Sequence, residues 1–503
     1  MPAIITDQFR ILNAETFAKS VTGIGTTSNF YYTFLAHPNP SNVTIEEYGD
    51  ANWPVDPRDS FEQEDRYHDS MLFLKKIGVN DFARIVPRID WSSGITYDMY
   101  RHDYDINNAA PQTSAKSLYE SRYYILNSEF KVYICINNGS EPDNPNGIPS
   151  QVEPNFTSTV PQETTDGYIW KFLYEIPPAE VVKFATEKFM PLPANWGDSN
   201  TAAVKNAAVR GRIETVIIKD EGSGYTNGVF SKVPILGDGV GGEVSITITD
   251  GEVSKVEVTS PGKDYTRGLI NYTDGNGQDS EFEVIIPPKG GHGADIYREL
   301  GSHRVMIYSK YDSSDDFITE NNFSRIGIVR NPTVFQTSTD ILNKDTATSL
   351  GALKLKPVGA GNTADTEYPL NGEIRQEVGT ASSIAIGYVA SWNKNTGVLR
   401  YYQPVGLSTI SNNNFRNFDF EGDTTKVVNC VGMTDDALVP DTAFSASSIN
   451  LSNKIVDLGQ AFDKGKALPE VEKYSGDIIY IDNRAPISRS ESQKEEVKIV
   501  VEF

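Results

Sequence analysis

The sequence predicts a mainly β, multi-domain protein: an antiparallel β-sandwich body with a few short helices and two inserted β modules. Three observations carry this. The 503 residues include 40 Gly, 27 Pro, 25 Tyr and 23 Phe, a composition of turns and strands. Short runs of alternating apolar and polar residues recur between Gly-, Pro- and Asn-rich breaks. Finally, GRIETVIIKDEGSGYTNG (211–228) is repeated as GEVSKVEVTSPGKDYTRG (251–268), an offset of 40 positions. Gly211 matches Gly251, Val216 matches Val256, Gly222 matches Gly262, Tyr225 matches Tyr265 and Thr226 matches Thr266. Such a repeat means one small supersecondary unit used twice.

The elements follow in chain order. TDQFRILNAETFAKS (6–20) spaces Phe9, Leu12, Phe17 and Ala18 as a short helix. NFYYTFLAHPNP (29–40) reads as a strand ending in a turn at its prolines. EDRYHDSMLFLKKIG (64–78) puts Tyr67, Met71, Leu74 and Ile77 on one helical face, with Gly78 as a stop. ARIVPRIDW (83–91), FKVYICINNG (130–139) and DGYIWKFLYEIPP (166–178) read as strands, the last stopped by its double proline. Residues 205–290 form the first inserted module. GGHGADIYRELGSHRVMIYSKYD (290–312) leaves it through a Gly-rich hinge, a short helical piece and the strand Arg304–Tyr308.

FSRIGIVRNP (323–332) is another strand. In GEIRQEVGTASSIAIGYVASWNKNTGVLRYYQPVG (372–406), Asn-Thr-Gly marks a hairpin turn. FSASSINLSNK reads as a loop leading back to the body. Ile478–Ile481 is a strand, after which Asp482, Asn483 and Pro486 form a corner. Glu496–Phe503 is a half-buried closing strand. The body thus comprises 1–204, 291–339 and 470–503, and the modules 205–290 and 340–469.

The formal net charge is −23. That excludes wrapping of nucleic acid, which needs a basic face, and docking on an anionic membrane. The two cysteines, Cys135 and Cys430, lie among apolar neighbours and read as buried thiols. MPAIITDQFR has neither a basic nor an apolar signal region, and no run reaches the ~20 apolar residues of a membrane span, so a cytoplasmic origin is expected.

Catalytic signatures are absent from the sequence. His37, His68, His102, His292 and His303 show no metal-ligand spacing, and GGHG around His292 reads as a flexible hinge. GDGVGGE (237–243) lies within strands rather than opening a helix, so it is no dinucleotide fingerprint. Asp274, Asn276, Asp279 and Glu281, and the aspartates of DSSDD (312–316), read as acidic surface loops rather than calcium sites. The Asp482–Arg484 charges read as a corner, and the aromatic run 166–178 as core packing rather than a sugar platform. No catalytic, cofactor-binding or metal residue is assigned.

Several blocks then carry a resemblance. TDQFRILNAETF, FYYTFLAHPNP, IVPRIDW (85–91), VYICINNG (132–139), DGYIWKFLYEIPP (166–178), SGDIIYIDNRAPI (475–487) and EEVKIVVEF stand in this order along the chain. Together they resemble the baseplate wedge subunit called gene product 8 of T-even-like contractile-tailed phages. The resemblance covers about 1–204, 296–335 and 470–503. Shorter members lack the repeat at 211–268 and the module at 340–465, so the chain resembles the longer form found in phages of cyanobacteria. The resemblance implies a structural virion protein of the tail baseplate, assembled in the host cytoplasm. It implies a homodimer bound to the wedge subunits known as gene products 10, 7 and 6, with tail-fibre components as further neighbours, and neither catalysis nor a cofactor. Two other readings of the residues are a glycan-binding tail adhesin, with Tyr225 and Tyr265 as platforms, and a polysaccharide-degrading enzyme with an unassigned carboxylate pair.

Overall fold

Strands paired antiparallel dominate the chain. The computed structural model describes residues 4–22, 29–37, 56–273, 277–312, 321–357, 366–377, 384–403, 417–418, 427–430, 438–490 and 493–503. It divides into two units. One comprises Met1–Ala18, Phe82–Ile307 and Lys498–Phe503; the other comprises Lys19–Asp81 and Tyr308–Val497.

The first unit is built on a sheet ordered Tyr124–Leu126, Lys131–Asn137, Ile169–Glu175 and Gln162–Glu163. Lys131–Asn137 alternates in sequence, yet both its faces are buried. Its Cys135 sits opposite Trp170 in register. The core is rich in tyrosine: Tyr168 stacks on Trp170 at 5.2 Å and Tyr97 meets that indole edge-on at 5.9 Å. A buried phenol needs a partner for its hydroxyl. Here Tyr168 donates to the Ile148 carbonyl at 2.6 Å, Tyr133 to Phe156 at 2.6 Å and Tyr124 to Pro87 at 2.9 Å. The aromatic side chains therefore fill the core and also fasten the loops around it. The aromatic run 166–178 is inside, as core packing required. A second sheet pairs Phe82–Pro87 with Phe189–Pro191 on one side and with Arg304 to Ile307 on the other.

Residues 211–286 have a core of their own, with Tyr225, Val244, Ile246 and Tyr265 at its centre. The two copies exchange hydrogen bonds. Tyr225 N donates to the Gly251 carbonyl at 3.0 Å, and Tyr265 N to the Gly211 carbonyl at 3.3 Å. Val253 N reaches the Glu221 carbonyl at 3.0 Å, and Ile213 N the Pro261 carbonyl at 2.9 Å. Each bond has its mate at the repeat offset, so the copies are related by a pseudo-twofold.

The duplication also runs further than its 18-residue signature. Beyond it the offset slips to 38, and GDGVGGE (237–243) corresponds to GNGQDSE (275–281). Strand pairing follows the same mates: Ile246 faces Val256 as Val284 faces Val216, and both pairs follow a register shift at the equivalent place.

The second unit holds a sheet ordered Thr346–Thr348, Met71–Lys76, Tyr31–Ala36, Asn321–Arg330 and Asp477–Arg489. Tyr32, Phe34, Met71, Leu74 and Val329 form its core. Three sequence expectations need correction here. The helix expected over 64–78 runs instead over Phe61–Ser70, capped by the Ser60 hydroxyl accepting from Gln63 N. Met71–Lys76 is a strand lying between Tyr31–Ala36 and Thr346–Thr348. It holds no β-branched residue, and the sheet position overrides local spacing.

The corner expected at Asp482–Pro486 is also absent. Asp477–Arg489 is one strand of 13 residues at the sheet edge. It absorbs its charged knot as a bulge: Phe323 faces Ile487 while Arg325 faces Asn483. Pro486 is tolerated because an edge strand needs no donor on its open side. Third, the loop expected at FSASSINLSNK contains a hairpin of Ser448–Leu451 with Lys454–Asp457, turning through Ser452 at φ 51° and Asn453 at φ 68°.

The remaining strands of this unit form a sheet around Gly351–Pro357, Ile384–Asn393 and Val398–Tyr402. Leu353, Val389, Leu399 and Tyr401 lie in its core. The expected Asn-Thr-Gly turn connects its central strands, with Gly397 at φ 64°.

Candidate interaction surfaces

The residues singled out for chemistry are occupied in packing. His37 is buried, its ring 4.9 Å from that of Tyr402. His68 lies edge-on to Tyr474, and burial lowers its pKa from 6.5 to about 4, against the opposing pull of Asp65. His102 accepts at Nδ1 from Ile286 N at 3.3 Å. His303 lies 3.4 Å from Glu502. The Gly-rich hinge is pinned rather than loose. His292 Nδ1 is 2.6 Å from the buried Glu299 carboxylate, which also accepts from Gly293 N at 2.7 Å, and Trp196 donates to the Gly293 carbonyl at 2.8 Å. Among the described residues, no group of three His, Cys, Asp or Glu side chains gathers as metal ligands. Both cysteines are buried, and burial pushes both thiols up.

The glycines of GDGVGGE serve the tyrosine pocket. A Cβ at Gly239 would overlap the Tyr265 ring, and one at Gly277 would overlap the Tyr225 ring. Gly222 and Gly262, at φ 64° and 61°, leave room for the tyrosine of their own copy. Gly242 N donates to the Tyr265 hydroxyl at 3.0 Å, and Ser280 N to that of Tyr225 at 3.2 Å. Both tyrosines are therefore spent on packing: they are 5% and 2% exposed and offer no sugar platform.

Asp482 and Arg484 form an exposed pair at 2.7 Å within the edge strand. Glu281 stands opposite Asp220 in register, and Asp312 pairs with Lys310 at 2.8 Å. Asp274, Asn276 and the remainder of DSSDD lie outside the described residues. Among the described residues, no helix is long and apolar enough to cross a membrane.

What stands out on the surface is apolar. In the helix Asp7–Thr22, Ile11 and Ala14 face inward, whereas Phe9 and Leu12, at i, i+3 spacing, are 52% and 49% exposed; Ile5, just ahead of the helix, is 64% exposed. In the duplicated module Leu236 and Leu269 are direct register partners, and both are exposed together with Val240. These surfaces, rather than any cleft, are where a binding role would lie. Neither was legible in the sequence, where Phe9 and Leu12 marked only helical spacing. No family model and no curated protein matches the chain.

Proposed function

We propose that the chain is a structural subunit of a contractile-tail baseplate wedge, of the gene product 8 type, which homodimerises and joins other wedge subunits. One observation carries the reading: the resembling blocks are the framework of both units. VYICINNG and DGYIWKFLYEIPP pair directly in the first. In the second, FYYTFLAHPNP and SGDIIYIDNRAPI flank Asn321–Arg330 in one sheet, although some 440 positions separate them. The segments that depart from shorter relatives of that type have cores of their own. A subunit of this kind works through large complementary surfaces and needs no reactive group. The exposed Phe9 and Leu12 of the helix Asp7–Thr22 mark one such surface.

Light scattering during size-exclusion chromatography tests this. A dimer is the expected mass. A trimer would favour a fibre or adhesin, and a monomer would remove the homodimer from the reading.

A further inference from the structure

One side-chain contact in the first unit closes on itself. Lys131 Nζ lies 2.6 Å from Asn155 Oδ1 and 2.7 Å from Glu129 Oε2, and Asn155 Nδ2 donates to Glu129 Oε1 at 2.8 Å. An amine, a carboxamide and a carboxylate thus each touch the other two. The one carboxylate reaches both nitrogens: Oε2 stands at the amine and Oε1 at the amide nitrogen.

The three side chains come from segments fastened from behind. Glu129 and Lys131 belong to the turn between Tyr124–Leu126 and Lys131–Asn137. The side chain of Asn127, 4% exposed, holds that turn: its Oδ1 accepts from Glu129 N at 3.0 Å and from Lys131 N at 2.8 Å. Asn127 also donates to the Pro154 carbonyl at 3.0 Å, so one buried residue ties both segments together. Beyond Asn155, the Tyr133 hydroxyl accepts from Phe156 N at 3.0 Å and donates to the Phe156 carbonyl at 2.6 Å. Asn155 is therefore pinned through both neighbours, and the Lys131 side chain is only 14% exposed. In an ordinary surface ion pair two long side chains are free to part; here the backbone on both sides is held. The second unit offers a comparison. Lys76 Nζ meets Asn343 Oδ1 at the same 2.6 Å, but among the described residues no carboxylate bridges that pair.

We propose that Lys131 and Asn155 join in an intramolecular amide bond, a covalent staple that the chain forms by itself with Glu129 as the acid–base group. A neutral lysine amine is a nucleophile, and a carboxamide is an acyl donor that releases ammonia. Glu129 takes a proton from Nζ, the nitrogen lone pair forms the bond to Cγ of Asn155, Glu129 gives a proton to Nδ2, and the Cγ–Nδ2 bond breaks. The positive charge of the lysine leaves as ammonium, and nothing is oxidised or reduced. The bonds from Lys131 and Asn155 hold the Glu129 carboxyl below its ordinary range, so it starts ionised and able to accept that proton. Fixing the reactants in contact replaces a bimolecular encounter. The Glu129 side chain is 54% exposed, so the site is wet and the reaction slow. Ammonia is lost to the solvent, which makes each conversion final. Alkaline solution speeds the reaction, because only the neutral amine attacks. Glu153, bonded to Ser128, and Glu175, opposite Lys131 in register, are further charged side chains beside it. The proposal does not depend on the wedge reading.

Intact-mass spectrometry of the full chain tests it, on fresh protein and after incubation at about pH 9, nearer the ordinary lysine range. The expected product is one ammonia lighter than the sequence, and peptide mapping finds the segments of Lys131 and Asn155 joined in one branched peptide. Lys76 and Asn343 stay separate. Lys131→Arg keeps the full mass with a native circular dichroism spectrum, and Glu129→Gln slows the joining at least tenfold. A full mass that persists after the alkaline incubation overturns the proposal. So does an ammonia loss that survives Lys131→Arg, since it belongs to a succinimide at an Asn-Gly step such as Asn227-Gly228. Joining at the wild-type rate in Glu129→Gln overturns the role given to the carboxylate.

Discussion

Single side chains here do most of their work by satisfying what burial demands. Arg489 is 2% exposed, and its guanidinium meets Glu495 at 2.7 Å. Breaking such a pair strands a buried charge, so Glu495→Ala is expected to cost about 3–5 kcal/mol in denaturant unfolding. His68 gives the second unit a pH dependence. Its folded pKa of about 4 lies below the ordinary 6.5, so between those values the unfolded chain binds more protons. Stability from this residue is full above about pH 6.5, falls as the pH drops towards 4, and is flat below that. The total is at most on the order of 3 kcal/mol. Thermal unfolding across that range should show the slope, and His68→Gln should flatten it. Residue identity made the buried cysteines and the tyrosine core legible in advance. It did not reveal the His292–Glu299 pair, because a Glu seven positions from a His carries no spacing signal until the Gly-rich turn brings them together.

At the level of elements, strands announced themselves and their limits did not. Residues 130–139, 166–178 and 323–332 held as strands because β-branched and aromatic residues sit between clear breaks. MLFLKK failed because its local spacing suits a helix, and only its sheet neighbours decide otherwise. Pro486 misled in the opposite direction: it forbids a central strand, and this strand is an edge. Two register shifts, a proline and exposed charges along Asp477–Arg489 are the devices that keep an edge from recruiting stray strands. The repeat was seen through its Gly and Tyr positions, whereas its second half was hidden by a two-residue slip. The closing strand Glu495–Glu502 buries Val497 and Ile499, and Phe503 beyond it lies 5.5 Å from Phe17. At about 1.5–3 kcal/mol per buried aliphatic side chain, the loss of Val497 and Ile499 alone reaches the lower end of a domain's stability of about 5–15 kcal/mol. A chain truncated after residue 494 is therefore expected to be insoluble; a soluble product with native circular dichroism would refute that.

Across the whole molecule, long excursions leave the framework sheets and return to them. The first has a narrow neck: a side chain at Gly291 would overlap the Val209 backbone, so entry and exit lie in contact. The excursion is also fastened at its flank, by Arg101 to Glu283 at 2.6 Å and Asn137 to Thr215 at 3.0 Å. Replacing 211–289 with a short Gly-Ser linker should therefore leave a folded body with a lower melting temperature, because Ile217 and Ile285 no longer cover its core. Loss of cooperative melting would show instead that the body depends on the module. Loop closure favours such insertions wherever the ends already touch.

The exchange of tyrosines between the two halves limits how this excursion can have grown. Each half carries a ring that needs glycines of the other half as well as one of its own. A lone half would expose an unfilled socket and an unhoused ring, and a third would have no mate. The unit is therefore countable only in twos, and lengthening by whole pairs, not by single copies, is the route open to it.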